Sequence, residues 1–498
     1  MQEPSVLDYL KSKLNPWSRE TLELPAQDGE SPTQADEQPP VESAPPAVRP
    51  APWRPILAVG FAILGQSFLE PPGVQTVPAL AFYFISLLLL AWMVLRGEWK
   101  MPRLRKSDPV EDPGVFRYLS FVLAFVFALV AFVLFGENSF FGLFAFGENQ
   151  FNFFNTLAWG LSIALFVYSL WLPKFTLRER LRQAHEFLTR GSWAIQVTPW
   201  LLLLVFIWSL AAFYRFSDLT SIPPEPFSDH AEKLLDVYDL SQGQTKTFFE
   251  RNTGREFFQM YLTLAVATVF GTGLSFLSLK LGTALAGFFT LPYVYLLGKE
   301  LFNKRVGLLA LAFTAIAYWP NVISRVGLRF PLYPLFAAPA LYYLIRGLRT
   351  NSRNDFILSG LFIGLGLHGY SSFRFLPIFA VVILLLYLLH HWRNVQVRQQ
   401  VILFSVVLNL AAFLAFLPLL RYSLDRPEFV IYRAMTRLSS AEVPLPGEPL
   451  AIFFDNLKNA MLMFNVDNGQ IWVHSVTERP ALDMISAAFF ALGFLLLL

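Results

Sequence analysis

The stretch LGTALAGFFTLPYVYLLGKELFNKRVGLLALAF, residues 281–313, decides the fold class. Two apolar runs, 282–298 and 306–320, flank a short basic segment from Lys299 to Arg305. Each run approaches the roughly 17 to 25 apolar residues that cross a bilayer. The segment therefore reads as one helix, a turn at a membrane face, and a second helix returning. Moving outward, the same pattern recurs at 56–69, 77–95, 118–135, 156–172, 194–213, 258–277, 331–346, 356–369, 376–389, 401–420 and 483–498. Composition agrees: the 498 residues are 55% hydrophobic and only 15% charged, against roughly 25% charged in a soluble domain. The mean hydropathy is +0.47. The expected fold is all-α, a polytopic transmembrane helical protein with about 12 spans and external loop segments.

Orientation follows from Lys and Arg, which stay cytoplasmic in short loops. Arg96, Lys100, Arg103, Arg105, Lys106 and Arg117 follow one run, and Lys174, Arg178, Arg180, Arg182 and Arg190 follow another, so both loops are expected inside. The loop between them, 136–155, repeats FGEN and holds neither Lys nor Arg, which places it outside. If 258–277 crossed the membrane, the basic stretches 299–305, 346–353 and 390–398 would all become external. Laid along the outer surface instead, with Gln259, Thr263, Thr268, Gly271 and Gly273 interrupting it, that run returns all three to the cytoplasm. The polar segments 214–257, 321–330, 370–375 and 421–482 then share the external face. Residues 1–52, rich in Pro, Glu, Gln and Ala, read as a disordered cytoplasmic tail. No apolar leader precedes them, so insertion is expected to rely on the spans. The chain stops at Leu498 within FFALGFLLLL, which leaves room for the last span to continue.

Several function classes fall away at this level. There is no Cys, so disulfides, thiolate metal sites and cysteine nucleophiles are excluded. Basic residues crowd into loops as a topology signal, and no nucleic-acid partner is indicated. No Walker-type loop, HExxH pair or GxSxG elbow occurs. None of the apolar runs carries Asp, Glu, Lys or Arg in its middle, which disfavours an ion-coupled transporter. His368, in GLHGY, reads as a packed histidine.

The richest polar segment is FSDHAEKLLDVYDL (227–240) followed by FFERNTGREFF (248–258). Asp229, Lys233 and Asp236 share one helical face at i, i+4 and i+7, and Ser228 or Asp229 could cap that helix. A charge run of this kind is ordinarily a wet helix face; the alternative is a carboxylate poised as a general base at the membrane surface. Arg255, Arg325, Arg329 and Arg374 stand at external span ends, against the positive-inside bias. Snorkelling to headgroups accounts for any one of them, whereas several on one face fit an anionic, lipid-linked ligand, because a guanidinium fork binds phosphate bidentately.

Four pieces stand in a telling order: NTGREFFQMYL (252–262), the stretch 281–313, SRVGLRFPLYPLF (324–336) and GLHGYSSFRFLP (366–377). With NAMLMFNVDNGQIWVHSVTERPALD (459–483), this order from about residue 194 onward resembles the GT-C membrane glycosyltransferases. The likeness is specifically to the dolichyl-phosphate-mannose-protein mannosyltransferase family (glycosyltransferase family 39) and its bacterial aminoarabinose-transferase-like relatives. The resemblance implies a multi-pass plasma-membrane enzyme, active at the extracytoplasmic face. It would move a sugar, with inversion, from a polyprenyl-phosphate donor to a hydroxyl of a protein, lipid or glycan acceptor. Asp229 maps to the catalytic base, and Arg255 and Glu256 to the donor-phosphate turn. Arg325, Arg329, Tyr370 and Arg374 are expected to complete that phosphate site, and Trp472, His474 and Arg479 to cover the acceptor.

Departures bear on the metal. Phe257 and Phe258 replace the Pro-Pro pair common in relatives, and the stretch Arg325 to Phe330 carries a second Arg where relatives commonly have an acid. No cofactor is required by these residues; a divalent metal stays open, with Arg329 able to supply the positive charge instead. The implied domains are the tail 1–52, additional spans 53–193 outside the resemblance, and a GT-C-like membrane domain 194–498 with external loops 214–257 and 421–482. Two rival readings stand beside this one. One is a lipid-linked glycan ligase or polymerase, and the other is a non-enzymatic membrane transporter.

Overall fold

Backbone polar groups find no water inside a bilayer, so an apolar run satisfies them by closing into a helix. A computed structural model describes residues 53–98, 112, 114–136, 148–173, 177–189, 197–252, 254–430, 432 and 447–497. The tail 1–52, the basic residues Lys100 to Lys106, most of the FGEN duplication and residues 433–446 of the later loop lie outside the described residues. The helices are α1 (Trp53–Ser67), α2 (Thr76–Leu95), α3 (Tyr118–Phe135), α4 (Phe153–Leu170), α5 (Leu177–Thr189), α6 (Pro199–Phe216) and α7 (Ser228–Ser241). A two-strand hairpin follows, β1 (Phe248–Phe249) and β2 (Arg255–Glu256). Then come α8 (Phe258–Val269), α9 (Phe276–Leu301), α10 (Lys304–Ile316), α11 (Tyr318–Arg325), α12 (Leu332–Thr350) and α13 (Arg353–Gly366). After a 3-10 turn (Ser371–Arg374) the chain ends with α14 (Phe375–His390), α15 (Val395–Asp425), α16 (Pro449–Leu462) and α17 (Met484–Leu497).

The fold is all-α and polytopic. Among the described residues, 7 helices are long and apolar enough to cross a membrane, or up to 8 if the bent pair α10 and α11 counts as one span. Several of the expected runs close into shorter helices, such as the 14 residues of α13. The run 258–277 is one of these. Its helix α8 has 12 residues, about 18 Å at 1.5 Å per residue, against a core of about 30 Å. α8 is therefore too short to cross, as the charge argument required.

The basic stretches that this argument gathered on one side do meet. Arg349 pairs with Glu300 at 3.2 Å, Arg353 with Asp112 at 3.5 Å, and the Asn351 amide donates to Gln400 at 2.9 Å. At the other end the polar segments touch one another, and Thr247 N–H donates to the carbonyl of Asn149 at 3.0 Å. Between the two ends α13 lies directly on α15. Gly360 and Gly364, spaced as small-xxx-small, face the backbone carbonyls of Leu408 and Ala412, and a side chain at either glycine would collide with them.

The break between α10 and α11 bends the chain by 55° at Ala317. It frees carbonyls that a continuous helix would have bonded. The Asn321 amide donates to two of them, Ala315 at 2.9 Å and Ala317 at 2.8 Å, so the bend is stapled and α11 carries the chain toward Arg329.

Residues 50–498 form one compact unit. α3 and α4 bury Ala124, Ala128, Phe135 and Phe166 against Ile357 of α13 and Leu414 of α15. α1 and α2 bury Ala58, Ala62 and Leu90 against Ala488 and Leu492 of α17. The α1–α2 hairpin is also tied to the chain after α16 by a polar knot. The Gln66 amide donates to the carbonyl of Asn465 at 2.8 Å, the Asn465 amide donates back to Gln66 at 2.9 Å, and the Tyr83 hydroxyl donates to Gln66 at 2.7 Å.

Candidate functional site

Side chains of neighbouring strand residues point to opposite faces, and that alternation organises the polar end. In β2, Arg255 and Glu256 are both fully buried and face opposite ways. Arg255 turns to α7, donating to Asp236 at 2.8 Å. Glu256 turns to the far side, where it accepts from Arg329 at 2.6 Å and from Arg374 at 3.2 Å. Arg251 adds a second guanidinium to Asp236 at 2.9 Å and reaches Asp239 at 2.6 Å. Burial pushes the carboxyl of Asp236 up from the ordinary value, and the hydrogen bonds from Arg251 and Arg255 offset only part of that rise. The hairpin turns at Gly254, whose φ of +87° suits glycine, and a Cβ there would press into the ring of Phe248.

The loop carrying Arg329 is fixed from two sides. Gln259 of α8 donates to the carbonyl of Gly327 at 2.8 Å. The Phe227 N–H donates to Nδ1 of His230 at 2.7 Å, which assigns the ring proton to Nε2, and Nε2 donates to the carbonyl of Val326 at 2.6 Å. The ring rather than Ser228 or Asp229 closes the first turn of α7. Burial holds the His230 ring below the ordinary histidine value, so it is neutral at pH 7. Below about 6.5 the unfolded chain takes up this proton and the folded chain resists it. Stability therefore falls as pH drops from about 6.5 through the depressed value, by at most about 1.4 kcal/mol per pH unit. Apparent melting temperatures in nanodiscs between pH 7.5 and pH 5 check this. His230→Gln is expected to flatten that limb, and an unchanged slope in the variant would reject the assignment.

These elements enclose a cavity of about 680 Å³. Asp229, Lys233, Arg255, Arg329, Tyr370, Arg374 and His474 line it, with Ser371 and Ser372. The Asp229 side chain is 35% exposed. One of its oxygens accepts from the Asn252 amide at 2.7 Å, and the other stands 4.0 Å from Nζ of Lys233. Nη2 of Arg255 is buried and has no hydrogen-bond partner. Arg329 lies over the ring of Tyr370, 5.5 Å from its centroid. A carboxylate able to take a proton thus faces guanidiniums able to hold an anion.

A second cavity, of about 950 Å³, shares Phe330, Tyr370, Ser372 and His474 with the first. Burial holds the His474 ring below its ordinary value. A third cavity, of about 450 Å³ and apolar, lies between α13, α14 and α15. It follows Pro377, Ala380, Val381 and Leu384 down the helix that Arg374 precedes.

Of the residues expected from the sequence, the first cavity brings together Asp229, Arg255, Arg329, Tyr370, Arg374 and His474. Glu256 lies behind it and orients two of the arginines. Arg325 points elsewhere, donating to the carbonyls of Tyr214 at 2.8 Å and Ile222 at 3.3 Å. Trp472 packs edge-on against Phe227 at 6.3 Å, and Arg479 pairs with Glu70 at 3.4 Å; neither lines either cavity. Lys233, Asn252, Gln259 and His230 had no role in the site assigned from the sequence. An isolated amide in an apolar run was the available signal for Gln259.

Asp236 and Glu256 each spend both carboxylate oxygens on guanidiniums. Among the described residues no group of three His, Asp or Glu side chains is placed to hold an ion.

The chain is thus a polytopic helical membrane protein with an arginine-lined cavity at one end of its helices. Residues 257–420 match the family model described as dolichyl-phosphate-mannose-protein mannosyltransferase, the family to which the sequence resemblance pointed. The match supports a membrane glycosyltransferase of the GT-C type. It covers Arg325, Arg329, Tyr370 and Arg374, while Asp229, Arg255, Glu256, Trp472, His474 and Arg479 fall outside it. No curated protein matches the chain.

Proposed function

We propose that this protein transfers a sugar from a polyprenyl-phosphate donor to an acceptor hydroxyl, with inversion, at the extracytoplasmic face of the plasma membrane. The observation that carries the proposal is the first cavity: one half-exposed carboxylate opposite three arginines, with an unpartnered guanidinium nitrogen on Arg255. Asp229 takes the proton of the acceptor hydroxyl as its oxygen bonds to the anomeric carbon. The bond from that carbon to the phosphate oxygen breaks on the opposite face, and its electron pair leaves with the phosphate. Arg255, Arg329 and Arg374 hold the charge that gathers there, a stabilisation that is usually the largest catalytic contribution. Glu256 and Asp236 keep these guanidiniums oriented before substrate arrives. The apolar cavity along α14 offers the polyprenyl chain a path away from Arg374.

Two buried cations of the helices, Arg215 and Lys280, speak against the transporter reading. Arg215 donates to the carbonyls of Ala315 and Thr314, and Lys280 to those of Thr220 and Pro223. Both serve to satisfy backbone.

The test is transfer by the purified protein in nanodiscs from a panel of radiolabelled polyprenyl-phosphate hexoses and the matching nucleotide sugars. Transfer from a polyprenyl-phosphate sugar, inhibited by polyprenyl phosphate and giving the inverted anomer, is expected. Arg374→Ala should lower kcat/KM about 10- to 100-fold, the worth of a hydrogen bond to a charged group. Transfer from nucleotide sugars alone, or from no member of the panel, overturns the reading.

A further inference from the structure

The second cavity is larger than the first and differs from it in chemistry. Among the described residues no Lys or Arg lines it, so these walls offer no cation to a phosphate, pyrophosphate or other anion. Its lining is mainly apolar, with Ile323, Leu462, Met463 and Val466 beside the rings of Trp319, Tyr333 and Tyr370, and the short polar side chains of Asn459, Asp467 and Asn468 are set among them. Flat rings accept the C–H face of a sugar, while amides and a carboxylate meet its hydroxyls as donor and acceptor. One such group is waiting: Nδ2 of Asn468 is buried without a partner, although the backbone N–H of the same residue donates to Arg479 at 2.8 Å.

We propose that this cavity is the acceptor subsite and that it is shaped for a saccharide, so the hydroxyl that receives the sugar belongs to a glycan. This rests on the transfer reading for its meaning, though not for its binding chemistry. An extended peptide is the competing acceptor, and it is ordinarily held by backbone hydrogen bonds to an open strand or loop. Most of the walls here are helices α11, α12 and α16 and the turn after Leu462, with Phe330, Tyr370, Ser372 and His474 added from other loops and turns. In that turn the N–H groups of Asn465, Val466, Asn468 and Gly469 already donate within the protein. A saccharide needs only the side chains. The wall that carries Asp467 and Asn468 is held by the Gln66, Tyr83 and Asn465 knot, which keeps it rigid. The four residues shared by the two cavities connect a seated glycan with the cavity that Asp229 lines.

Saturation-transfer NMR on the full chain in nanodiscs tests this, with maltotriose, cellotriose and α-mannotriose as probes and the peptide Gly-Ser-Thr-Ser-Gly as competitor. At least one trisaccharide is expected to bind, the peptide should not displace it, and Asn468→Leu and Tyr333→Leu should each weaken it about fivefold or more. Polyprenyl-phosphate binding, measured on the same samples, should stay within twofold and reports that each variant is folded. The proposal is overturned if no trisaccharide binds, if binding survives both substitutions, or if the peptide competes. Trisaccharide binding without any polyprenyl-phosphate binding would sink the transfer reading and leave a saccharide site standing.

Discussion

Asp229→Asn is expected to lower sugar transfer about 10²- to 10⁴-fold, the usual worth of a general base, while donor binding stays intact. The amide has nearly the shape of the carboxylate, and its oxygen can still accept from the Asn252 amide that bonds Asp229 at 2.7 Å. What disappears is the ability to take a proton. Single-turnover transfer, paired with polyprenyl-phosphate binding on the same sample, separates chemistry from recognition. Transfer at the wild-type rate would move the base elsewhere, and the geometry limits where. Asp236 and Glu256 have both oxygens committed, so His474, which lines both cavities, would be next.

Glu256→Leu is expected to cost about 3 to 5 kcal/mol of stability, because it strips a buried pair of one partner and leaves uncompensated charge. Glu256 is fully buried and holds two guanidiniums at once. Replacing Arg329 and Arg374 by Met in the same chain should recover most of that loss, since a well-packed apolar trio avoids the desolvation penalty. The triple variant should nevertheless lack transfer. Thermal inactivation in nanodiscs reads the first effect and the transfer assay the second. A triple variant as unstable as the single one would show that Glu256 matters through shape and not through charge.

Some of this site was legible in the sequence. The spacing of Asp229, Lys233 and Asp236 predicts the helix that α7 forms, and the polar interruptions in 258–277 foretell a run that cannot cross. Charge parity placed the stretches 299–305, 346–353 and 390–398 together; Arg349 pairs with Glu300 between the first two, and Asn351 of the second meets Gln400 just beyond the third. The fates of individual arginines were not legible. Arg325 and Arg329 lie one helical turn apart, yet the bend at Ala317 and the loop through Gly327 send one to backbone carbonyls and the other to Glu256. Arg479 is claimed by Glu70, 409 positions away. Local spacing records which residues share a face and carries no information about which distant segment will arrive to meet them.

The same separation gives the chain a clock. Gln66 and Asn465 stand 399 positions apart, and a ribosome adds about 5 to 20 residues per second. For about 20 to 80 s after the α1–α2 hairpin is made, Gln66 has the Tyr83 hydroxyl for company and no Asn465. That hairpin, made early, is thus among the last elements to be completed, and during that interval it offers a membrane chaperone an unfinished polar face.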